Sequence, residues 1–98
     1  MTKYDTLRED LSKLLDVVTS YYNIGANELF IRNTEDIVDA RYCLISILCE
    51  KYKDSDISSI CGVSKSVVNK VRNAINSRCK NNSFSVDLKN VKSLFNSL

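Results

Sequence analysis

The chain has 98 residues, 44% of them hydrophobic and 27% charged, with a formal net charge of +2. That length holds one small domain with a modest core and little room for a deep active site. The balance excludes a disordered chain, and no apolar run approaches the roughly 18 residues that span a bilayer.

There is no proline and there are only two glycines. That is too little turn punctuation for a strand-rich fold, so the expected class is all-α, a bundle of five to six helices. The first ten residues are polar and mixed in charge, which does not read as a signal peptide. Residues 4–22 predict an amphipathic helix. Leu7, Leu11, Leu14, Leu15, Val18 and Tyr22 form its buried stripe, and Glu9, Asp10, Lys13 and Asp16 its wet side. Asn23-Ile24-Gly25 ends it, with Gly25 as the expected left-handed residue. Residues 26–30 can make one helical turn, and 31–33 a loop. Thr34 then caps a helix running to about residue 52, with Glu35 and Asp36 in the first turn, where the dipole favours acids. Its stripe is Ile37, Ala40, Leu44, Ile47 and Leu48, with Val38, Arg41 and Ile45 flanking.

Residues 55–79 carry the most information. Asp54 or Ser55 is expected to cap a short helix with Ile57, Ile60 and Cys61 inward. Gly62 sits where that helix must stop and reverse, which favours a residue tolerant of positive φ. Ser64 is placed to cap a second helix over 65–79, whose inward stripe is Val67, Val68, Val71 and Ile75. Lys65, Ser66 and Asn69 are left facing out. This is the layout of a helix-turn-helix, whose second helix lies in a DNA major groove. The other reading of the same run is a helical hairpin with a solvated polar face; turn, cap, spacing and charge agree on the first. A polar break at 80–83 follows. Ser85 can cap a last helix with Leu88, Val91, Leu94, Phe95 and Leu98 apolar.

The charge is unevenly divided. Residues 1–63 carry a net −4 and residues 64–98 a net +6, with no acid between Ser64 and Val86. A basic patch on the second helix is what a phosphate backbone selects. Arg78 and Lys80 also suit a helix C-terminus, but Lys65 at a helix N-terminus works against the dipole and points to a phosphate or base partner.

Cys43, Cys49, Cys61 and Cys79 show no C-x-x-C spacing and the chain has no histidine, so neither a zinc site nor another cofactor is expected. Three of them fall within or beside apolar stripes, where free cysteine acts as a small hydrophobe. Reduced thiols and a cytoplasmic, nucleoid-associated setting follow as expectations. Nothing pairs a nucleophile with a base, and the acids at 35–39 and 54–56 sit at helix starts, where capping accounts for them. The chain therefore does not read as an enzyme. Its five tyrosines are too dispersed for a base-stacking platform, and Tyr21 and Tyr22 read as core aromatics.

Residues 17–98 resemble the C-terminal DNA-binding domain of the bacterial chromosomal replication initiator DnaA, which has a Trp-repressor-like helix-turn-helix. The likeness rests on Val17-Val-Thr-Ser-Tyr21-Tyr-Asn-Ile24, on Glu28-Leu-Phe30, and on Asp36-Ile-Val-Asp-Ala-Arg41 where that family shows I-V-x-A-R-Q. The resemblance implies that Arg41 faces DNA and that Arg32 belongs to a minor-groove loop. Tyr42 replaces the family's glutamine. Val63 to Val68 replace its R-D-H-[ST]-T-V, with Lys65 at the histidine position. No ATPase module is present, since there is no G-x-x-x-x-G-K-[ST]. What is implied is a free-standing relative of that domain, of the kind a phage or mobile element encodes.

The expected function is sequence-specific binding of double-stranded DNA, in replication control or transcription regulation. Base contacts are expected from Lys65, Ser66 and Asn69. Phosphate contacts are expected from Arg41, Lys70 and Arg72 and from backbone amides near Ser55 and Ser64. The alternative is a protein-interaction module that kept the fold, binding a replication protein or forming a homodimer through residues 4–22.

Overall fold

The computed structural model describes residues 2–98; Met1, the first residue of the polar N-terminal run, lies outside the described residues. Among the described residues there are five α-helices and no strand: α1 (Lys3–Tyr22), α2 (Glu35–Cys49), α3 (Asp54–Cys61), α4 (Lys65–Arg78) and α5 (Asn82–Asn96). A short 3-10 turn, Ala26–Glu28, lies between α1 and α2. The all-α bundle read from composition is what the chain forms. No helix is long and apolar enough to cross a membrane.

α2 is the centre. Ile37, Ala40, Cys43, Leu44, Ile45, Ile47 and Leu48 are all buried in it, and it touches each of the other four helices. A helix apolar on nearly every side can only be satisfied in the interior. Ile45, expected on the flank of the stripe, is fully buried for that reason. α1 contributes Leu7, Leu14 and Val18 to the same core, α3 contributes Ile57, α4 contributes Val68 and Val71, and α5 contributes Val91. No charged side chain is buried among the described residues.

Several boundaries differ from the sequence reading, each for a local reason. Asn23, at φ 55, is the left-handed residue that ends α1, whereas Gly25 has φ −81 and leads into the 3-10 turn. Asparagine reaches that region readily because its short polar side chain bonds locally. α2 stops at Cys49, and Tyr52 is reached through a turn in which its amide donates to the Leu48 carbonyl at 2.9 Å. Thr34 occupies the N-cap position of α2 but makes no side-chain cap bond. Ser85 does not cap α5: Asn81 does, its Oδ1 accepting from the Phe84 amide at 3.2 Å, so the polar break is shorter and the helix starts earlier.

Polar ties join the helices over this core. The Tyr52 hydroxyl donates to Asp10 Oδ2 at 2.6 Å, and Lys51 Nζ donates to the same oxygen at 2.8 Å. Tyr21 donates to Asp87 at 2.8 Å, linking α1 to α5. Tyr21 and Tyr22 meet edge to face at 5.3 Å and are only half-buried, their hydroxyls bonded rather than lost in the core. Arg78 lies 3.9 Å over the Tyr42 ring and donates to Asp39 at 2.6 Å, tying the end of α4 to α2.

Burial alone would raise the Asp10 carboxyl, but the bonds from Lys51 and Tyr52 outweigh it and hold the group below its ordinary 3.8. A carboxyl depressed in the fold stabilises above its unfolded pKa and loses that contribution as pH falls through the folded value. Asp10→Asn should therefore lower the urea-unfolding free energy by about 1–2 kcal/mol at pH 7. The difference from wild type should shrink as the pH falls through the folded value, which lies below the ordinary 3.8.

Candidate nucleic-acid interface

α3 and α4 meet across Gly62-Val63-Ser64. Gly62 has φ 70, and its amide donates to the Ser58 carbonyl at 3.0 Å, closing α3 in the left-handed manner that glycine permits. The Ser58 hydroxyl donates to the Val63 carbonyl and holds the connection from the other side. Ser64 then caps α4, its Oγ accepting from the Val67 amide at 3.3 Å. The start of α3 differs from expectation: the helix begins at Asp54 itself, after an N-cap Lys53 that makes no side-chain cap bond. Ser55 is exposed in the first turn beside Asp54 and Asp56. Those carboxylates make its backbone amide a poor seat for an anion.

The docking of α4 decides which of its side chains face out. Val68 and Val71 are buried, and Ile75 is half-buried one turn further on. Val67, expected inward, is 36% exposed because it lies at the edge of that stripe. The opposite face carries Ser66, Asn69 and Asn73, all exposed at steps of three and four, with Lys65 and Lys70 on its two sides. Lys65, Ser66, Asn69 and Lys70 line one open, shallow polar depression. The first turn of α4 has no acid, and among the described residues neither Lys65 nor Lys70 closes an ion pair. The Asn73 amide donates to Asn69 Oδ1 at 2.7 Å. Sequence reading passed over Asn73, although the four-residue step from Asn69 pointed to it.

The arginines stand elsewhere. Arg72 lies in the same helix, but its Nε donates to Asp54 Oδ1 at 2.9 Å and its Nη2 to the same oxygen, so it ties α4 to the start of α3. Arg41 is turned into its own loop: Nε donates to the Leu29 carbonyl at 2.8 Å, Nη1 to Asn33 Oδ1 at 3.2 Å, and Nη2 to the Arg32 carbonyl. Both were expected at phosphates, and both are bonded within the fold. A carbonyl-rich loop and a facing carboxylate engage these guanidinium groups within the fold. Arg32 itself projects, with its side chain 65% exposed and Nε 4.0 Å from Glu28. Arg32 and Ser55 do not join the depression on α4, which is lined by α4 residues alone.

All four cysteines are free thiols, and burial pushes Cys43 and Cys61 up to about 11, so both stay protonated near neutral pH. No group of three or more Cys, Asp or Glu among the described residues is placed to hold a metal ion.

A Cβ built on Gly62 would find nothing within 4 Å, so only the backbone conformation resists substitution there. Gly62→Ala should cost about 1 kcal/mol in urea unfolding with helical content unchanged, and Gly62→Asn should cost less. No protein-family model, curated protein or solved structure matches this chain.

Proposed function

We propose that the protein binds double-stranded DNA sequence-specifically through the exposed face of α4, in replication control or transcription regulation. One observation carries the reading. Lys65, Ser66, Asn69 and Lys70 line a single polar depression, and both of its lysines are left unpaired among the described residues. A pair of unneutralised cations beside exposed hydroxyl and amide groups suits a surface rich in phosphate and base edges. Lys65 would reach guanine O6 or N7, Asn69 an adenine edge, and Lys70 a phosphate. Arg41 and Arg72 support the scaffold in this reading. It assigns the chain no catalytic step and no cofactor.

A second reading, a protein contact, is favoured by an apolar groove between α1 and α5. Val17, Tyr21, Leu94 and Leu98 line it, with Lys13 and Asp16 at its rim. Leu94 and Leu98 are 49% and 67% exposed. The rim carries both signs of charge on one patch, which a second copy related by a two-fold axis would match. That homodimer is compatible with DNA binding. Sedimentation equilibrium should show association that Lys13→Asp weakens and that Lys13→Asp with Asp16→Lys restores; a monomer at all concentrations would exclude it.

With Lys65 and Lys70 as the two cations of this depression, log affinity for duplex DNA should fall against log salt with a slope near −2, about −0.9 for each neutralised phosphate. A random-duplex selection should enrich a defined site. Lys65→Glu should weaken binding to it by more than the roughly 1–3 kcal/mol expected of Lys65→Ala, because the carboxylate would face phosphates. An intact circular dichroism spectrum with unchanged affinity for Lys65→Glu would overturn the assignment of α4.

A further inference from the structure

We infer that Lys53 is a third phosphate contact, made to the DNA strand that borders α4 on the side of α3; the inference rests on the DNA-binding reading of α4. The two sides of α4 differ. Lys65 and Arg72 are seven residues apart, so they stand on one side of the helix, roughly 10 Å apart along its axis, and Lys70 stands on the other. On the first side α3 packs against α4. Arg72 Nε donates to Asp54 Oδ1 at 2.9 Å and Nη2 to the same oxygen, which fixes the start of α3 there. Lys53 is the residue before Asp54. It is exposed, and among the described residues it closes no ion pair.

A helix in the major groove has a strand of phosphates along each wall. Lys70 meets one strand. On the other side Arg72 is bonded to Asp54, and α3 fills the space beside α4, so the start of α3 is what meets the second strand. The acids in the first turn of α3 disfavour a phosphate on its backbone amides. Lys53 escapes that difficulty. Its ammonium is carried away from the helix end on a flexible four-carbon stem, and the neighbouring Asp54 carboxylate is already paired with Arg72. The side chain has no other work at its own position. Lys53 is the N-cap of α3 but makes no side-chain cap bond, and only its carbonyl is engaged, accepting from the Ile57 amide at 3.0 Å. A lysine meets phosphate as a point charge and reads no base. Lys53 therefore adds affinity and fixes how the domain sits on the duplex, and base preference stays with α4.

The test uses the full chain and the best duplex from a random-duplex selection. Affinity is measured from about 0.05 to 0.5 M salt for wild type, Lys53→Ala, Lys53→Arg, Lys70→Ala and Lys89→Ala. Lys89 is an exposed lysine of α5 that lines no part of the depression on α4. The two lysines of the depression account for a slope near −2, and a third phosphate adds about −0.9, so wild type should show a slope near −3. Lys53→Ala should return it to near −2 and weaken binding by up to about eightfold at about 0.1 M salt. The loss should be equal on the best duplex and on its single-base variants. Lys53→Arg should retain the wild-type slope, and Lys89→Ala should change neither slope nor affinity. Ethylation of single phosphates should cease to matter at one position for Lys53→Ala. That phosphate should lie on the strand opposite the one that Lys70→Ala identifies. Circular dichroism should be unchanged in every variant, since the substituted side chains are exposed and Lys53 makes no cap bond. A Lys53→Ala slope equal to wild type would overturn the inference. So would an equal loss in Lys89→Ala, a phosphate on the Lys70 strand, or a changed base preference in Lys53→Ala. Each of those outcomes leaves the DNA-binding reading of α4 intact. No enrichment of any duplex would remove that reading and this inference with it.

Discussion

The burial of α2 is the constraint on which the rest depends. Its seven buried residues need cover on every side, and four helices supply it. α4 is one of the four. Once Val68 and Val71 are committed to the core, the 3.6-residue period leaves Ser66, Asn69 and Asn73 on the outer face with no further choice. The polar stripe of α4 is thus a consequence of hydrophobic burial on the opposite face of the same helix. The left-handed Gly62 and the Ser64 cap set where α4 begins, and so where along the helix the stripe starts.

Charge organises a second level. The C-terminal third carries seven cations, and three of them pair with acids from the first 63 residues: Arg72 with Asp54, Arg78 with Asp39, and Lys92 with Glu50. The division of charge along the chain therefore works in part as a set of ties between segments distant in sequence. These pairs are partly exposed, and such pairs hold orientation more than they add stability. Of these seven cations, Lys65, Lys70, Lys80 and Lys89 remain outside any ion pair among the described residues, and only the first two stand together on the open face of α4. That selection by pairing is what distinguishes Lys65 and Lys70 from a general excess of positive charge.

Arg41 and Tyr42 are both engaged within the fold. Arg41 is engaged by two backbone carbonyls and a carboxamide of the 29–33 loop, which brings that loop against α2. Tyr42 lies under Arg78, so the ring stands between α2 and the end of α4, with Phe84 of α5 5.6 Å from the same guanidinium. An aromatic ring under a planar cation is a packing element as much as a polar one. Arg41 ties the 29–33 loop to α2, and Tyr42 ties α2 to the end of α4.

The helical class, the five long segments, the Gly62 reversal and the Ser64 cap were legible from the chain because each depends on neighbours within four residues. Periodicity also exposed the core residues Leu44, Leu48, Val68 and Val71. Lys65, Ser66 and Asn69 were legible as outward residues by the same period. Caps and ends were less so: Asn81 competed with Ser85, and Asn23 with Gly25, and local chemistry allows either of each pair. What the chain could not disclose is which charges neutralise one another. Arg72 and Asp54 are 18 positions apart, Arg78 and Asp39 are 39 apart, and Arg41 reaches back 12 to Leu29. Those partners are chosen by how the helices dock around α2, a property of packing that no local pattern contains. Sequence by itself determined the helices and most of their inward faces; only the tertiary structure decided which cations hold the fold and which stand unpaired at its surface.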